Sequence, residues 1–549
     1  MINTFATEAV RMLEEVGCTK AFGVSGGYIF PLWHSLVSST IDVYHCSSEN
    51  GATFSAMEHS LHTNTIAAVF ATSGPGLTNA FTALKSARAD GAKVIFLSAI
   101  TTETEHDPKK AQETCPANLR LFTGDSLQFP FSQSLIIRHQ ADLAKLWQVL
   151  HDLQSSYSGT LGAFIAPDIQ KSSVAPLVRH EMQNRLAPIS GDSKIQPWID
   201  FVQTKLQTGN HVIWAGYGAL EASKDLLELA ETYDTPVMTT PRAKGVFPET
   251  HPLSWGCTGL GGNVEGSLPK ARSNWGVIVL GSRLEEVSSS FMQLEWKERE
   301  VIAVTVEPEY IRRNLPPHTI VINSDVRVLL SGLVKAITMP KISTYSLEPY
   351  KIPPEKATPN GLHPISVLSA VQETAIRKHD YKIIADIGNT LSWVTRYLKF
   401  DLPDYFRIST HDAAMTHAAC GVIGIGSNNN PVIAIVGDGA MVMQNEIITA
   451  VRYQMPIIWL VMNDSCYNMC QQVFNIEGAK VPDCSIPPIQ FAKYGEALGA
   501  RGLTVGPSED INEALNQAIA WKAPTVIDVK IDGTIPAPIG SRVKSLSSR

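Results

Sequence analysis

The sequence has no long apolar run, and this absence excludes a protein with membrane-spanning helices. No stretch approaches the roughly 20 consecutive apolar residues that a membrane-spanning helix needs. The N-terminal residues MINTFATEAV contain no cationic segment followed by an apolar one, so we expect no signal peptide and a cytoplasmic location.

An excess of positive charge is also missing, because 45 lysines and arginines are outnumbered by 52 aspartates and glutamates. The net charge of -7 therefore does not favour a surface that binds nucleic acid.

Cysteine is scarce and scattered, with eight residues along a chain of 549, and this does not indicate a disulfide framework. The segment CYNMC at 466–470, together with Cys484, offers three thiols to a metal, but no histidine lies at ligand spacing. We therefore expect reduced, buried thiols.

Charged residues make up 18% of the chain and hydrophobic residues 44%, a composition typical of a globular protein. Helical patterns alternate with short strand-like runs, which favours parallel sheets. An amphipathic helix, a turn and an apolar strand follow one another in three separate segments, at 5–27, 226–245 and 446–464. We therefore predict an α/β protein with three doubly wound parallel-sheet domains.

Two polar, proline-containing segments, at 172–197 and 339–363, interrupt this alternation and are predicted to be linkers. A chain of 549 residues is long enough for three domains of ordinary size. The predicted parts are an N-terminal domain near 1–172, a central domain near 190–340, a C-terminal domain near 360–535 and a tail at 536–549.

Two neighbouring apolar runs in the C-terminal domain end in oxygen-bearing side chains. VIAIVGDG (432–439) ends with Asp438 between two glycines, and PIIWLVMND (456–464) ends with Asn463 and Asp464. In parallel sheets, ligands bind at the carboxyl ends of strands, where glycines let the backbone approach phosphate. Mg²⁺ is held by oxygen ligands that are shared between one or two carboxylates and substrate phosphates. Together the two strand ends therefore predict a Mg²⁺–diphosphate site, although each motif alone is also typical of a turn.

The Gly-Asp-Gly at 437–439 followed by Asn-Asp at 463–464 resembles the signature of the thiamine diphosphate (ThDP)-dependent enzymes, specifically their acetolactate synthase-like group. This resemblance implies that the side chains of Asp438 and Asp464 and the backbone carbonyl of Cys466 bind the metal. The family usually has an asparagine where this chain has Asp464. An aspartate is still a ligand for Mg²⁺, but it adds negative charge beside a diphosphate.

The resemblance extends to the N-terminal domain, which is similar to the family's pyrimidine-binding domain. SSENGATFSAMEHS (47–60) matches the segment with the family's essential glutamate, here Glu49. TSGPGLTNAFTAL (72–84) matches the family's Ser-Gly-Pro-Gly turn with its asparagine, here Asn79. The tripeptide AQE corresponds to the family's Phe-Gln-Glu and makes Gln112 the active-site glutamine. The resemblance therefore implies that Glu49 and Gln112 are catalytic.

The other two domains continue the resemblance. HVIWAGYGAL (211–220) is similar to the family's central domain, and it leaves open whether FAD or another nucleotide binds there. ADIGNTLSW (385–393) matches the first diphosphate loop, and Met415 corresponds to the residue that holds the cofactor in its bent form. The implied cofactor contacts are Asn79, Gly388, Asn389, Thr390, Met415, Gly437, Asp438, Gly439, Ala440, Asp464, Cys466, Tyr467, Asn468 and Met469.

In this family the glutamate hydrogen-bonds to the pyrimidine ring and favours the tautomer whose imino nitrogen removes the thiazolium proton. The resemblance assigns this role to Glu49. It implies that the chain uses ThDP and Mg²⁺ to decarboxylate a 2-oxo acid and to join the remaining fragment to an acceptor, as a carboligase or decarboxylase. Because the glutamate of one subunit faces the diphosphate domain of another in the family, it also implies a homodimer or homotetramer.

Three departures from acetolactate synthases concern the substrate. A histidine is replaced by Ser48, a phenylalanine by Ala111 and a tryptophan by Val473. Each replacement removes side-chain volume, so we expect a larger pocket and a bulkier donor or acceptor. His411, just before the Met415 segment, is a further candidate for the pocket or for proton transfer, although a lone histidine is more often structural.

Other functions remain alternatives. A 2-hydroxyacyl-CoA lyase or oxalyl-CoA decarboxylase would use the same cofactor and a basic groove for CoA. Candidate contributors to such a groove are Arg242, Lys244, Arg542 and Lys544. A regulatory subunit would bind ThDP without turnover, which the retention of Glu49 disfavours. A nicotinamide-dependent enzyme is disfavoured because we find no Gly-x-Gly-x-x-Gly followed by an acidic ribose ligand.

Overall fold

The computed structural model contains three six-stranded sheets that follow one another along the chain. It describes residues 3–102, 108, 110–175, 192–263, 275–289, 299–338, 345–427, 429–444 and 446–539. All strand pairings in the three sheets are parallel. The predicted α/β fold with three parallel-sheet domains is therefore confirmed. The predicted tail beyond residue 539, and 176–191 and 339–344 of the predicted linkers, lie outside the described residues.

The N-terminal sheet has the strand order β2-β1-β3-β4-β6-β5. Its strands are β1 (Lys20–Gly23), β2 (Asp42–His45), β3 (Ala67–Phe70), β4 (Lys93–Ser98), β5 (Gln133–Ile137) and β6 (Gly159–Ile165). Its helices are α1 (Phe5–Glu15), α2 (Phe30–Val37), α3 (Glu49–Thr63), α4 (Pro75–Asn79), α5 (Phe81–Asp90), α6 (Pro116–Arg120), α7 (Leu143–Ser155) and α8 (Pro167–Lys171). Helix α3 begins after Ser48, because the Ser48 hydroxyl accepts a hydrogen bond from the Gly51 N–H at 3.0 Å.

The central sheet has the strand order β12-β11-β10-β7-β8-β9. Its strands are β7 (His211–Ala215), β8 (Val237–Thr239), β9 (Ser254–Cys257), β10 (Gly276–Leu280), β11 (Val301–Thr305) and β12 (Ile320–Asn323). The helices described around it are α9 (Asp192–Gln207), α10 (Ser223–Tyr233), α11 (Glu286–Ser289), α12 (Pro308–Ile311) and α13 (Val326–Lys335). Strands β7, β10 and β11 are buried along their whole length, as expected for parallel strands covered on both faces.

The C-terminal sheet has the strand order β14-β13-β15-β16-β18-β17. Its strands are β13 (Lys382–Ala385), β14 (Phe406–Arg407), β15 (Val432–Gly437), β16 (Ile457–Asn463), β17 (Arg501–Val505) and β18 (Thr525–Lys530). Its helices are α14 (Pro364–Ala370), α15 (Asn389–Tyr397), α16 (His417–Ile425), α17 (Asp438–Val442), α18 (Ile447–Arg452), α19 (Asn468–Glu477), α20 (Phe491–Ala497) and α21 (Ile511–Trp521). The chain order reverses between β13 and β15, and a crevice at such a switch point is where open α/β sheets bind ligands.

Helix α3 of the N-terminal domain packs directly against α16 of the C-terminal domain. A side chain at Gly424 would overlap the carbonyl oxygen of Ser55, so this close approach requires a glycine. The Ser55 hydroxyl donates to the carbonyl of Cys420 across the interface at 3.2 Å. Residues of both helices belong to one continuous hydrophobic core. The N-terminal and C-terminal domains of one chain are therefore packed together.

The cysteines are all free thiols, which agrees with the expectation of a reduced protein. The expectation that they are buried is wrong for Cys470, which is exposed, and for Cys466 and Cys484, which are partly exposed. Within the described ranges, none of the helices combines the length and the apolar composition of a membrane span.

Candidate active site

Three loops meet at the carboxyl edge of the C-terminal sheet, after β13, β15 and β16. The Asp438 carboxylate joins two of them, because its Oδ1 accepts from the Gly439 N–H at 2.8 Å and its Oδ2 from the Cys466 N–H at 3.2 Å. The third loop is close by, since a Cβ placed on Gly437 would lie 3.6 Å from Oγ1 of Thr390. The structure therefore brings the predicted diphosphate-loop and metal residues together at one edge.

Asp438 and Asp464 form a pair of neighbouring carboxylates in this edge. Asp438 is only 4% exposed. Burial, with a contribution from the negative charge of Asp464, raises the pKa of Asp438 to about 6. Burial also raises the pKa of Asp464, although the Asn468 amide donates to its Oδ2 at 2.6 Å. Two neighbouring, partly desolvated carboxylates are suited to a divalent metal ion.

The donor set around these carboxylates fits Mg²⁺ rather than a softer metal. Within the part of the chain that the structure describes, no group of three or more His, Cys, Asp or Glu side chains could hold a metal. A metal at Asp438 and Asp464 would therefore take its other ligands from backbone carbonyls, water or phosphate oxygens. Mg²⁺ uses such a mixture of ligands in phosphate sites.

The loop after β13 has the features of a phosphate cradle. Gly388 has φ = 108°, a conformation that side chains disfavour, and a Cβ there would meet no atom within 4 Å. Open space therefore lies in front of the backbone at the start of α15, where helix N–H groups are unsatisfied. The side-chain oxygen Oδ1 of Asn389 is buried and has no hydrogen-bond partner. These features fit a bound diphosphate.

Met415 lies on the short segment 413–416, between β14 and α16, which we call the Met415 segment. Its side chain is 37% exposed. The segment is pinned by Asp386, which follows β13. The carboxylate of Asp386 accepts from the N–H groups of Thr416 at 3.1 Å, Ala418 at 3.0 Å and Ala419 at 3.2 Å. Asp386 thus fixes the Met415 segment to the start of the diphosphate loop.

Glu49 and Asn79 are in contact in the N-terminal domain. Glu49 is the first residue of α3, and its Oε2 accepts from the Asn79 amide at 3.2 Å. Gln112 lies on an exposed loop with φ = 55°, and its Oε1 accepts from the Thr72 hydroxyl at 3.0 Å. Gly74, in the turn before Asn79, packs against the Gln112 backbone. The structure therefore places Gln112 beside the turn that leads to Asn79.

The two halves of the predicted site have no direct hydrogen bond or ion pair between Glu49 or Asn79 and Asp438 or Asp464 among the described residues. What links them is Glu446, which is buried and follows α17. Its carboxylate accepts from the N–H groups of Ser47 at 3.2 Å and Ser48 at 3.1 Å. Glu446 of the C-terminal domain thus holds the backbone immediately before Glu49.

The predicted pocket residues have different surroundings. His411 lies between two carboxylates, with Nδ1 2.5 Å from Oδ1 of Asp90 and Nε2 3.0 Å from Oε2 of Glu285. These contacts place His411 at the junction with the central domain, and they do not favour a role in substrate binding. Val473 packs partly buried against the C-terminal core. Ala111 is exposed, and Ser48 caps α3 as described above.

Sequence reasoning missed several acidic residues of the site. In the sequence, the only signal for Asp386 is its position directly before the Gly388 loop. The only signal for Glu446 is that it is a carboxylate in an otherwise apolar helical run. Glu58 and His417 form a buried ion pair at the α3–α16 contact, with His417 Nε2 2.6 Å from Oε1 of Glu58. His417 is one of several histidines that the sequence offers for proton transfer, but no local pattern identifies its pairing with Glu58, because the two partners come from distant parts of the chain.

The candidate basic groove for CoA is not found at the described residues. Arg242 and Lys244 are both buried. Arg242 lies 3.4 Å from Oδ1 of Asp90, and Lys244 lies 2.6 Å from Oε1 of Glu249. Their charges are therefore paired inside the protein. Arg542 and Lys544 lie outside the described residues.

Comparison with known families finds three matches in order along the chain. The family described as "Thiamine pyrophosphate enzyme, N-terminal TPP binding domain" matches residues 3–120. The "central domain" of the same enzymes matches 206–333, and their "C-terminal TPP binding domain" matches 386–529.

Similar proteins cover nearly the whole chain. An acetolactate synthase of Mycobacterium avium is 26% identical over 94% of this chain and 85% of its own length. An acetolactate synthase large subunit of Cyanidium caldarium is 24% identical over 96% of this chain and 93% of its own.

Among solved structures, a thiamine diphosphate-dependent 4-hydroxybenzoylformate decarboxylase of Rhodococcus jostii RHA1 has a TM-score of 0.79 at 20% identity. It covers 96% of this chain and 99% of its own. A benzoylformate decarboxylase of Polynucleobacter necessarius has a TM-score of 0.80 at 18% identity, with coverage of 97% and 100%. At these identities the two structures show that the fold is shared.

Proposed function

Because the chain belongs to the thiamine pyrophosphate enzymes, whose three domains it carries in order, we propose that it decarboxylates a 2-oxo acid with ThDP and Mg²⁺ and transfers the remaining fragment to an acceptor. The observation that carries this proposal is the meeting of Asp438, Asp464 and the Gly388 loop at one sheet edge. The relatives named as acetolactate synthases and 2-oxo acid decarboxylases support the reaction class.

The C-terminal domain would hold the diphosphate end of the cofactor. Asp438 and Asp464 contribute two carboxylates to Mg²⁺, and the backbone carbonyl of Cys466 is the third protein ligand of the proposal. The N–H groups at the start of α15, next to Gly388 and Asn389, are suited to phosphate oxygens. The partnerless Oδ1 of Asn389 supports a ligand at this place.

The N-terminal domain would act on the pyrimidine ring and the substrate. When bound, ThDP supplies the carbon nucleophile and the electron sink for decarboxylation. Glu49 holds a proton at a pyrimidine nitrogen, and its Oε1 is suited to this because Asn79 binds Oε2. Met415 orients the rings. Gln112 accepts from Thr72 through Oε1, so its amide nitrogen is available to donate to the substrate carboxylate.

We also propose that a second copy of the chain completes each active site. Among the described residues, no hydrogen bond joins the contacts of Glu49 to those of Asp438, and both domains carry exposed large apolar side chains. On the C-terminal domain these include Met415, Val442, Met443 and Ile448, and on the N-terminal domain they include Phe30, Phe81 and Leu121. Exposed apolar surface of this kind marks protein–protein contact sites. A homodimer would cover it and bring Glu49 of one copy to Asp438 of the other.

Substrate size is the finer part of the proposal. Ser48, Ala111 and Val473 are smaller than the residues that acetolactate synthases have at the matching positions, so we propose a pocket for a donor or acceptor larger than pyruvate. The lyase alternative is weaker, because Arg242 and Lys244 are buried in ion pairs and do not form a groove for CoA. A purely regulatory role is disfavoured by the contact between Glu49 and Asn79.

Calorimetry and a substrate panel test the proposal. The purified protein is titrated with ThDP in the presence of Mg²⁺ and again with EDTA, and we expect binding only with the metal. The loaded protein is then given 2-oxo acids of increasing size, with and without an aldehyde acceptor, and the products are identified by mass. Absence of ThDP uptake would contradict the function, and turnover of pyruvate alone would contradict the larger pocket.

A further inference from the structure

A cluster of charged side chains is buried where α3 packs against α16. We call Glu58, Arg407 and His417 the α3–α16 ion cluster. Glu58 is 1% exposed and His417 0%. Oε1 of Glu58 lies 2.6 Å from Nε2 of His417, and Oε2 of Glu58 pairs with Nε of Arg407. The cluster thus joins the N-terminal domain, which contributes Glu58, to two elements of the C-terminal domain.

Glu58 and Arg407 are charged at neutral pH, and the surroundings of His417 favour its charged form. Burial opposes ionisation of Glu58, but Arg407 and His417 together lower its pKa to about 2. Burial likewise lowers the pKa of His417, but the Glu58 carboxylate outweighs it and raises that pKa above the usual value. Buried ion pairs of this kind contribute little net stability compared with apolar packing. Stability therefore does not by itself explain the cluster.

The cluster is next to a strained piece of backbone. His417 is the first residue of α16 and directly follows the Met415 segment. Ala413 has φ = 50° and Thr416 has φ = 75°, both in the left-handed region that non-glycine residues disfavour. Such conformations persist only where the surroundings hold them. The hydroxyl of Thr416 is buried without a partner, so it does not hold the segment.

Among the described residues, two side-chain contacts hold the Met415 segment from its C-terminal side, in addition to the backbone hydrogen bond from the Cys420 N–H to the Thr416 carbonyl. The Asp386 carboxylate binds three backbone N–H groups there, and the His417 imidazole binds Glu58. Asp386 fixes the segment to the diphosphate loop of the same domain. The bond from His417 to Glu58 is different, because it fixes the segment to α3, the helix whose first residue is Glu49.

We propose that Glu58 and His417 are positioning residues, which hold the strained Met415 segment in the conformation that presents Met415 to the cofactor. The cofactor contact of Met415 rests on the proposed function, but the restraint on the segment does not. Neither residue touches the reacting atoms in this proposal. They act through the backbone of residues 413–417.

The alternative is that the cluster only stabilises the contact between domains. The chain offers a matched control for this alternative in the pair Lys244–Glu249, which is also buried and 2.6 Å long. That pair joins the central domain to the C-terminal domain, where Lys244 donates to the Thr395 carbonyl and the Phe400 N–H donates to Glu249. It has no contact with the Met415 segment among the described residues.

Hydrogen exchange on the protein without cofactor tests the restraint directly. In His417→Phe we expect the N–H groups of Thr416, Ala418 and Ala419 to exchange about tenfold faster or more, because the segment opens locally. His417→Gln keeps a donor for Glu58 and should restore most of the protection. Glu249→Gln should lower the melting temperature without changing exchange in the segment.

Cofactor binding provides the second measurement. We expect the dissociation constant of ThDP with Mg²⁺ to rise about tenfold in His417→Phe and in Glu58→Gln, as for residues that orient ligands in metal sites. It should be unchanged in Glu249→Gln. If His417→Phe does not fold, Glu58→Gln and His417→Gln provide the same comparison.

The outcomes separate this inference from the proposed function. Unchanged exchange of the Met415 segment in His417→Phe and Glu58→Gln would overturn the inference. Loss of protection that spreads along all of α3 and past Ala419 to the end of α16 would overturn it as well, because the cluster would then be structural only. If the wild-type protein takes up no ThDP, the proposed function fails, and the exchange result still decides the positioning role.

Discussion

Asp464 is the residue whose charge has the clearest consequence for the candidate site. It places a second carboxylate beside Asp438, and burial together with that charge raises the pKa of Asp438. Two carboxylates attract a divalent cation more strongly than a carboxylate and an amide do, but they also repel a diphosphate. If the site holds the proposed metal ion, we therefore expect that ion to neutralise this pair before a diphosphate binds.

We predict that Asp464→Asn weakens the binding of Mg²⁺ alone by about tenfold or more, because removing a unit charge about 4 Å from a divalent ion costs roughly 2–8 kcal/mol. The affinity for ThDP at saturating Mg²⁺ should fall less, since the diphosphate loses a repelling neighbour. Calorimetric titrations with Mg²⁺ and then with ThDP measure both quantities. The exposed Asp483→Asn is the matched control, and an unchanged Mg²⁺ affinity in Asp464→Asn would contradict the assignment.

Glu49 is the second residue for which the site makes a sharp prediction. Replacing it by glutamine keeps the shape and the contact with Asn79 but removes the group that holds the proton. We expect kcat to fall by about 10²–10⁴-fold, the usual contribution of a positioned acid or base, with a much smaller change in ThDP affinity. Steady-state kinetics and calorimetry are measured for Glu49→Gln and for the control Glu513→Gln, which changes an exposed glutamate on α21. Activity close to wild type in Glu49→Gln would be incompatible with the proposed mechanism.

At the scale of elements, α3 is the helix on which both proposals depend. It is buried along nearly its whole length because it lies between its own sheet and α16. The N-terminus of α3 and its middle and later turns have different proposed roles. Glu49 at the N-terminus faces the cofactor site of the proposal, whereas Glu58 and His59 in the middle and later turns are inside the protein.

His59 makes the stability of this helix depend on pH. Burial and the nearby charge of Lys20 lower its pKa to about 4, compared with about 6.5 in an unfolded chain. As the pH falls from 6.5 towards 4, the unfolded chain binds a proton that the folded chain does not bind. The folded state therefore loses about 2 kcal/mol between pH 7 and pH 5 from this group alone.

We predict that His59→Gln removes this part of the pH dependence and retains a hydrogen bond to Thr19, which is 3.2 Å from the imidazole in the wild type. The free energy of unfolding is measured with urea at pH 7, 6 and 5. Between pH 7 and pH 5 the variant should lose about 2 kcal/mol less of this free energy than the wild type. The same substitution at the exposed His139 controls for the loss of an imidazole elsewhere. Parallel pH curves for wild type and His59→Gln would refute the prediction.

At the scale of the whole molecule, the N-terminal and C-terminal domains of one chain are joined by contacts that do not form the site. Glu446 holds Ser47 and Ser48, and α3 packs on α16. These contacts leave Glu49 and Asp438 in separate networks. The proposed assembly of two copies would allow both to reach one cofactor.

We predict that two inactive variants restore activity when they are combined. Glu49→Gln and Asp438→Asn are coexpressed with different tags, and mixed dimers then contain one intact site and one doubly altered site. If the chains pair at random, about a quarter of the wild-type sites are intact, so about a quarter of the activity is expected. The combination of Glu49→Gln with Glu49→Ala is the control and should stay inactive. Failure of the first combination to recover would place the whole site within one chain.

The sequence predicted the fold class and which loops meet at one sheet edge, for reasons that particular residues show. Asp438 and Asp464 follow buried strands directly, and the carboxyl edge of a parallel sheet brings such positions together whatever the details of packing. His411 shows the limit of this reasoning. It lies next to the Met415 segment in the sequence, yet its imidazole is bound by Asp90 and Glu285 of the other two domains.

The sequence by itself determined what is local: the order of helices and strands, the glycine at a left-handed position such as Gly388, and the kinds of side chain at strand ends. Periodicity and backbone preference act over a few residues, so they can be read along the chain. Only the tertiary structure decided which charges pair. Glu58 and His417 are 359 residues apart, and their contact exists because glycines let α3 and α16 pack closely. Pairing between distant segments depends on the packing of whole domains, and no local pattern encodes it.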